Sequence, residues 1–226
     1  MSRIVTACGA ALAATGILLL GRRGQATWGA TADEVAADLP GDALLSPSDV
    51  TATRAISIGA PPAAVWPWIA QMGQGRGGLY SYDVLENLVG CDLHSADRIM
   101  PECQEVHVGD QFKLHPDVAL IVAIVEPGRA LVVRSGVPTD EGVAPYDFTW
   151  AFVVVGQPDG TTRLVVRERY RYTSRWSRLI VEPLQAISFI MSQKMLRGIK
   201  RRAEALPQPP LRGRLGDTVG VAADAR

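Results

Sequence analysis

Glu168 is the residue of this chain whose type and surroundings best suit proton chemistry. It lies in residues 162–172, where apolar and charged side chains alternate as in a β-strand. One predicted face carries Leu164, Val166, Glu168, Tyr170 and Tyr172, and the other carries Val165, Arg167, Arg169 and Arg171. Because three arginines favour solvent, we predict that the Glu168 face points inward. A carboxyl group surrounded by aromatic side chains is suited to proton transfer.

Two other roles for Glu168 remain open from the residues alone. It is also consistent with a structural ion pair, for instance with Arg134, or with a position near the rim of a cavity. On the preceding strand, residues 147–155, the alternation predicts that Trp150, Phe152 and Val154 face inward as well. The two strands together therefore predict an aromatic inner surface with one carboxylate.

A second group of residues has the ligand types of a zinc site. Cys91-x-x-His94 and Cys103-x-x-x-His107 offer two thiolates and two imidazoles. The two pairs are not spaced as in a zinc ribbon or finger, and they are equally consistent with an ordinary loop. We predict no metal and no cofactor. The one conceivable disulfide joins Cys91 to Cys103.

Composition limits the class of protein. The 226 residues suffice for one domain with extensions, and 47% hydrophobic with 20% charged residues excludes a wholly disordered chain. Lys plus Arg and Asp plus Glu are 23 each, so the formal net charge is zero. Nucleic acid is therefore excluded as the main partner, since phosphate binding needs a basic surplus.

The N-terminal residues resemble a membrane segment. Residues 4–20 form a run of 17 residues without a charge, next to Arg3, Arg22 and Arg23. A bilayer span needs about 20 apolar residues, with about 17 as the lower limit. We predict that residues 1–24 are a single membrane anchor that contacts lipid, with the domain on the cytoplasmic side. A cleaved signal ending near residues 24–26 and a buried helix remain alternatives.

The rest of the chain divides into a connector, a domain and a tail. In the connector, residues 25–49, Thr31 and Glu34 have the spacing of a capping box and predict a short helix. Residues 50–206 carry the periodic elements. Residues 207–226 are rich in Pro, Gly and Ala, and we predict that they are disordered.

The order of elements in the domain is distinctive. The patterns predict a strand at 51–58, helices at 62–73 and 82–89, strands at 111–114, 119–125, 130–135, 147–155 and 162–172, and a helix at 183–205. Short Pro-Gly and Pro-Asp-Gly turns predict antiparallel pairing. On the last helix, an apolar stripe is predicted to face the sheet; it comprises Leu184, Ile187, Met191, Met195 and Ile199.

Three short motifs accompany this order: Ala-Pro-Pro-Ala-Ala-Val-Trp-Pro-Trp at 60–68, Arg-Gly-Gly-Leu-Tyr-Ser-Tyr-Asp at 76–83, and Val-Gly-Asp at 108–110. Over residues 50–206 the chain resembles the START and birch-pollen-allergen superfamily (SRPBCC), in its bacterial polyketide cyclase/dehydrase and lipid transport branch. The resemblance implies an α+β helix-grip fold. In this fold a curved antiparallel sheet wraps around a long C-terminal helix and encloses an apolar cavity.

The resemblance also implies a function. We expect membrane-tethered binding of a hydrophobic small molecule, such as a lipid, polyketide or steroid-like ligand, by a carrier or sensor. The alternatives are a cofactor-independent cyclase/dehydrase-type enzyme that uses Glu168, and an interaction module with a collapsed cavity. The predicted ligand-binding residues are Trp68, Tyr80, Tyr82, Trp150, Phe152, Glu168, Tyr170, Tyr172, Ile187, Met191 and Met195.

The Gly-rich turn between the two short helices is predicted to lie near the mouth of that cavity. Arg76, Tyr80, Tyr82, Asp83 and Glu86 cluster around it. An entrance role is one interpretation, since tyrosines combine an apolar body with a hydroxyl group. The other is an ion pair from Arg76 to Asp83 or Glu86 that holds the turn.

Overall fold

The computed structural model describes residues 23–88, 90–116, 118–135 and 146–206. The helices are α1 (Ala32–Ala36), α2 (Pro62–Ala70), α3 (Asp83–Leu88) and α4 (Ser177–Ala205). The strands are β1 (Val50–Ile58), β2 (Gln111–His115), β3 (Val118–Glu126), β4 (Ala130–Ser135), β5 (Tyr146–Gly156) and β6 (Thr162–Tyr172). All neighbouring strands pair antiparallel in the order β1-β6-β5-β4-β3-β2. The predicted α+β helix-grip fold is confirmed.

The sheet is strongly curved around α4. Phe112 on β2 lies three strand positions from β5, which would be about 14 Å in a flat sheet. Its ring centroid is nevertheless 6.1 Å from that of Trp150 on β5. The face that carries Trp150, here called the concave face, therefore closes on itself. Met195 and Ile199 of α4 are buried in the same core.

A close backbone contact joins α4 to the Gly-rich turn. Tyr80 has a positive φ of 57°, and its hydroxyl donates a hydrogen bond to the Trp68 carbonyl at 3.0 Å. A Cβ atom at Gly198 would lie 2.5 Å from the Tyr80 carbonyl oxygen. Only glycine allows this approach, which places the Gly-rich turn beside the C-terminal third of α4.

The last helix begins six residues before the predicted start at Pro183, which lies inside it. Proline removes the hydrogen bond to the carbonyl four residues earlier, here that of Leu179. Because Leu179 and Pro183 are both exposed, water can satisfy that carbonyl. A proline is therefore tolerated here.

The predicted stripe of α4 is wrong at Ile187, which is 58% exposed. Ser188 and Ser192 face the sheet in its place, and their hydroxyls donate hydrogen bonds to Glu168. A polar contact thus determines which face of the helix is buried, and periodicity of apolar residues does not reveal it.

The connector packs on the outer face of the sheet. The predicted capping box is present, with Thr31 and Glu34 each accepting a hydrogen bond from the other's backbone N–H. The prediction that all three arginines of β6 face solvent is wrong for Arg167, which is 3% exposed. Its guanidinium contacts the Asp42 carboxylate, Thr53 and three backbone carbonyls of residues 34–37.

The predicted membrane span, with the domain on the cytoplasmic side, is not supported. In the part of the chain that the structure describes, no helix is both long enough and apolar enough to cross a bilayer. Residues 1–22 of the predicted anchor lie outside the described residues, as does the predicted disordered tail, residues 207–226.

Candidate functional site

The Glu168 carboxylate lies between the sheet and α4 and accepts hydrogen bonds from four side chains. Arg54 Nη1 is 2.8 Å from Oε1, and the Ser192 hydroxyl is 3.0 Å from the same oxygen. The Ser188 hydroxyl is 2.6 Å from each carboxylate oxygen. The Tyr170 hydroxyl donates to Oε2 at 3.1 Å. We call these five residues the Arg54–Glu168 network.

Strand register explains why Arg54 is the partner. In the β1–β6 pair, Arg54 lies opposite Val166 and Ala52 lies opposite Glu168, so Arg54 and Glu168 share a face. The ion pair that the sequence left open is therefore present, but the suggested partner Arg134 was wrong. Its neighbour Val133 pairs with Trp150 on the concave face, so Arg134 points to the other side.

The network leaves Glu168 little capacity for proton transfer. The carboxylate is paired with a guanidinium, and three hydroxyl groups already donate to its two oxygens. Burial and the neighbouring Glu168 charge raise the pKa of Tyr170, so its phenol stays protonated and acts as a donor. The arrangement joins β1, β6 and α4 and is typical of a structural buried ion pair.

An aromatic cluster covers the concave face next to this network. Ring centroids are 4.6 Å apart for Trp150 and Phe152, 4.7 Å for Phe148 and Tyr170, and 6.5 Å for Phe112 and Phe152. The indole Nε1 of Trp150 is buried and has no acceptor among the described residues. A buried donor without a partner costs about 1–3 kcal/mol. The Trp150 N–H is therefore an unused hydrogen-bond donor among the described residues.

The predicted site residues fall into three groups. Trp150, Phe152, Glu168 and Tyr170 meet on the concave face, as predicted, while Trp68, Tyr80 and Met195 are buried in the core. Tyr172 and Met191 are half-buried. Tyr82 and Ile187 are on the surface, with exposed fractions of 37% and 58%.

The Gly-rich turn is held differently from the predicted ion pair. The Arg76 guanidinium donates to the carbonyls of Ala70 and Cys103 at 3.1 and 2.6 Å. Asp83 instead accepts from the backbone N–H and hydroxyl of Ser95. The predicted pairing of Arg76 with Asp83 or Glu86 is wrong because backbone carbonyls take up the guanidinium.

Sequence reasoning missed Arg54, Ser188 and Ser192. A signal existed for Arg54, because it is a basic residue in an otherwise apolar and small-residue strand. Pairing the first strand with the last would have placed it beside Glu168. The two serines are one helical turn apart, a spacing that places both on one face.

Glu86 on α3 is a second buried acid, and its burial was not predicted from the sequence. It is 7% exposed, and its Oε2 has no hydrogen-bond partner among the described residues. Burial, and secondarily the charge of Asp83, raise the pKa of Glu86 to about 7. Burial and Glu86 also raise the pKa of the nearby Cys91 thiol.

Glu86→Gln should remove a pH dependence of stability. The folded protein keeps the Glu86 proton up to about pH 7, whereas the unfolded chain loses it near pH 4.5. Stability therefore falls as pH rises through this window, by at most about 3 kcal/mol. In urea unfolding we expect the variant to be more stable than the native chain at pH 8 and similar to it at pH 4.5. Glu105→Gln, at an exposed position, is the control and should keep the native pH dependence of stability. If Glu86→Gln kept that dependence as well, this assignment would be contradicted.

The candidate zinc ligands do not converge in the described residues. Among them, no three His, Cys, Asp or Glu side chains lie close enough to hold a metal ion. Cys91 and Cys103 are free thiols. His94 and His107 lie on the surface beside Asp92 and Asp110, at 3.3 and 3.8 Å.

Comparison with known proteins finds similarity only among solved structures. No family model matches the chain, and no curated protein matches it. The protein MLL2253 of Mesorhizobium loti is 18% identical, with 67% of this chain and 98% of that chain covered and a TM-score of 0.39. The hypothetical protein jhp0584 of Helicobacter pylori is 10% identical, with 74% and 95% covered and a TM-score of 0.44.

A third similar structure is DynU16, a protein of the dynemicin biosynthetic locus. It is 18% identical with a TM-score of 0.37, and the alignment covers 66% of this chain and 46% of DynU16. Similarity at these levels assigns no family. The helix-grip architecture therefore rests on the strands and the long helix of this chain itself.

Proposed function

We propose that residues 50–206 bind a small, largely apolar molecule against the concave face of the sheet, as a carrier or sensor. The buried, unpaired indole N–H of Trp150 within the aromatic cluster carries this proposal. Membrane tethering is not part of it. Membership of the SRPBCC superfamily, in the polyketide cyclase/dehydrase and lipid transport branch, is proposed from the motifs at 60–68, 76–83 and 108–110.

The chemistry of the concave face favours one class of ligand. The rings of Phe148, Phe152 and Phe112 offer apolar contact, which contributes about 25 cal/mol per Å² of surface removed from water. Trp150 would donate a hydrogen bond to an oxygen acceptor. A lipid, polyketide or steroid-like molecule with a carbonyl, carboxylate or hydroxyl oxygen combines both features. We propose that Tyr172 and Met191, which are half-buried, lie at the border of this site.

Binding is favoured over catalysis by the state of Glu168. A general acid or base needs a proton position open to the substrate. The oxygens of Glu168 are occupied by Arg54 and by the hydroxyls of Ser188, Ser192 and Tyr170. The enzyme alternative would require this network to open before any proton could move.

Two fluorescent probes separate the roles of the Trp150 ring and its N–H. The fatty acid cis-parinaric acid carries an acceptor carboxylate, whereas the hydrocarbon diphenylhexatriene carries no acceptor. Trp150→Phe keeps an aromatic ring and removes the donor. We expect the variant to lose about fivefold to tenfold in affinity for cis-parinaric acid, equivalent to about 1 kcal/mol. Its affinity for diphenylhexatriene should stay within about twofold.

Trp176→Phe is the matched control, because Trp176 is 73% exposed and lies outside the aromatic cluster. It should leave both affinities at the native value. The proposal fails if the native protein binds neither probe, or if Trp150→Phe and Trp176→Phe change both affinities equally.

A further inference from the structure

Helix α4 has an exposed apolar face that points away from the sheet. Its members recur at spacings of three, four and seven residues, so they lie on one side of the helix. We call it the outer stripe; it comprises Trp176, Leu179, Ile180, Ile187 and Ile190, which are 48% to 73% exposed. Trp176 directly precedes the helix, and the 14 helical residues 177–190 give the stripe a length of about 21 Å.

A row of large, exposed apolar side chains is typical of a surface that contacts a partner. Single apolar residues on a surface are ordinary, but contiguous apolar patches mark interaction sites. The opposite side of α4 is already used, since Ser188 and Ser192 contact Glu168 in the buried network. The outer stripe is thus a second contact face of the same helix.

The first described residues of the chain run along the flank of α4. The Arg197 guanidinium lies 5.2 Å from the centre of the Trp28 ring. Gln25 and Ala26 reach a more N-terminal part of the helix, where they line a small cavity of about 170 Å³. The other lining residues are Arg54, Glu182, Gln185 and Ala186. Followed backward from Trp28, the chain therefore heads toward the beginning of α4.

This path places Arg23, the first described residue, near the edge of the outer stripe. Residues 4–20 carry no charge and end three residues before Arg23, the first described residue. Residues 23–26 are helical, so Arg23 is about one helical turn from Ala26 beside Ala186. On the α4 helical wheel, Ala186 and Leu179 are about 20° apart, which places the cavity at the edge of the stripe.

We infer that residues 4–20 dock on the outer stripe of α4 in the same chain. Both surfaces are apolar, and the contact removes both from water. The short connection through residues 21–24 gives the segment a local concentration at the stripe of about millimolar, far above that of a second protein molecule. The inference is independent of the proposed ligand site, since the outer stripe lies on the other side of α4.

Cysteine cross-linking of the full chain tests this inference. Cys8 lies within residues 4–20, and Cys91→Ala with Cys103→Ala removes the other two thiols. Ile187→Cys then places a thiol on the stripe, at an exposed position where the substitution leaves the core unchanged. A short bismaleimide is added to dilute protein, and the monomer band is analysed by mass spectrometry for the Cys8–187 cross-link.

Asp159→Cys is the matched control. Asp159 is exposed in the β5–β6 turn. That turn lies beyond the C-terminal end of α4, where Glu204 contacts Gly59, so it is about 25 Å or more from Ile187. A second probe position, Thr15→Cys combined with Cys8→Ala, covers the case in which Cys8 itself faces away from the stripe.

We expect the yield of the intramolecular cross-link from Cys8 or position 15 to position 187 to exceed the yield to position 159 by about fivefold or more. Leu18→Asp should reduce it to the level of the control, because a charge is costly in an apolar contact. Equal yields at positions 187 and 159 from both probe positions would overturn the inference. Cross-links found only between two chains would also overturn it and would identify a second copy as the partner.

Discussion

Arg54→Met is expected to lower the free energy of unfolding by about 3–5 kcal/mol, because it leaves the Glu168 carboxylate buried without its cation. Arg54 and Glu168 are each 2% exposed, so the carboxylate left behind stays shielded from bulk solvent. Ser188, Ser192 and Tyr170 would still donate hydrogen bonds, but none of them carries a positive charge. Urea unfolding at pH 7 measures the loss.

The double variant Arg54→Met with Glu168→Met separates an ion pair from simple packing. Removing both charges together leaves no buried carboxylate, and such replacements are often neutral. We therefore expect the double variant to be more stable than Arg54→Met alone. If the loss of unfolding free energy in the double variant equals the sum of the losses in Arg54→Met and Glu168→Met, the two charges are not coupled. That result would contradict the network as described.

Arg167→Met should release the connector from the outer face of the sheet. Its guanidinium contacts the Glu34, Val35 and Ala37 carbonyls and the Asp42 carboxylate. We expect a loss of about 2–3 kcal/mol in the free energy of unfolding, since Asp42 keeps its second partner, Arg169. Hydrogen exchange of residues 31–45 should rise before that of the strands.

Arg171→Met is the control for this prediction, because Arg171 also lies on the outer face of β6 and pairs with Asp147. That pair is 44% and 38% exposed, so its loss should cost about 0.5 kcal/mol. If Arg167→Met behaved like Arg171→Met and hydrogen exchange of the connector stayed unchanged, the connector would not be held by Arg167.

Local pattern was sufficient to predict the strands and the antiparallel pairing of those joined by short turns. Alternation in residues 162–172 and the turns at 126–129 and 157–160 depend on neighbouring residues, and all six strands lie where they were expected. The inward direction of Glu168 follows from the same alternation. The beginning of α4 was missed because Pro183 resembles a first-turn proline, whereas exposure lets it occupy the helix interior.

The contacts of the site could not be predicted in this way because they join distant parts of the chain. Arg54 and Glu168 are 114 residues apart, and only the pairing of β1 with β6 brings them together. Alternation assigns Arg167 to the outer face but says nothing about the connector that covers it. The unpaired Trp150 N–H likewise depends on every group around it, not on the strand alone.

Native mass spectrometry of the chain purified from its own host tests the central claim, ligand binding at the concave face, most directly. We predict one small apolar molecule per chain, and its loss in Trp150→Ala but not in Trp176→Ala. Chain that carries no such molecule should take up one diphenylhexatriene per chain, with Trp150 again required. A protein that carries no ligand and takes up no probe, or that binds equally well in Trp150→Ala, would contradict the account.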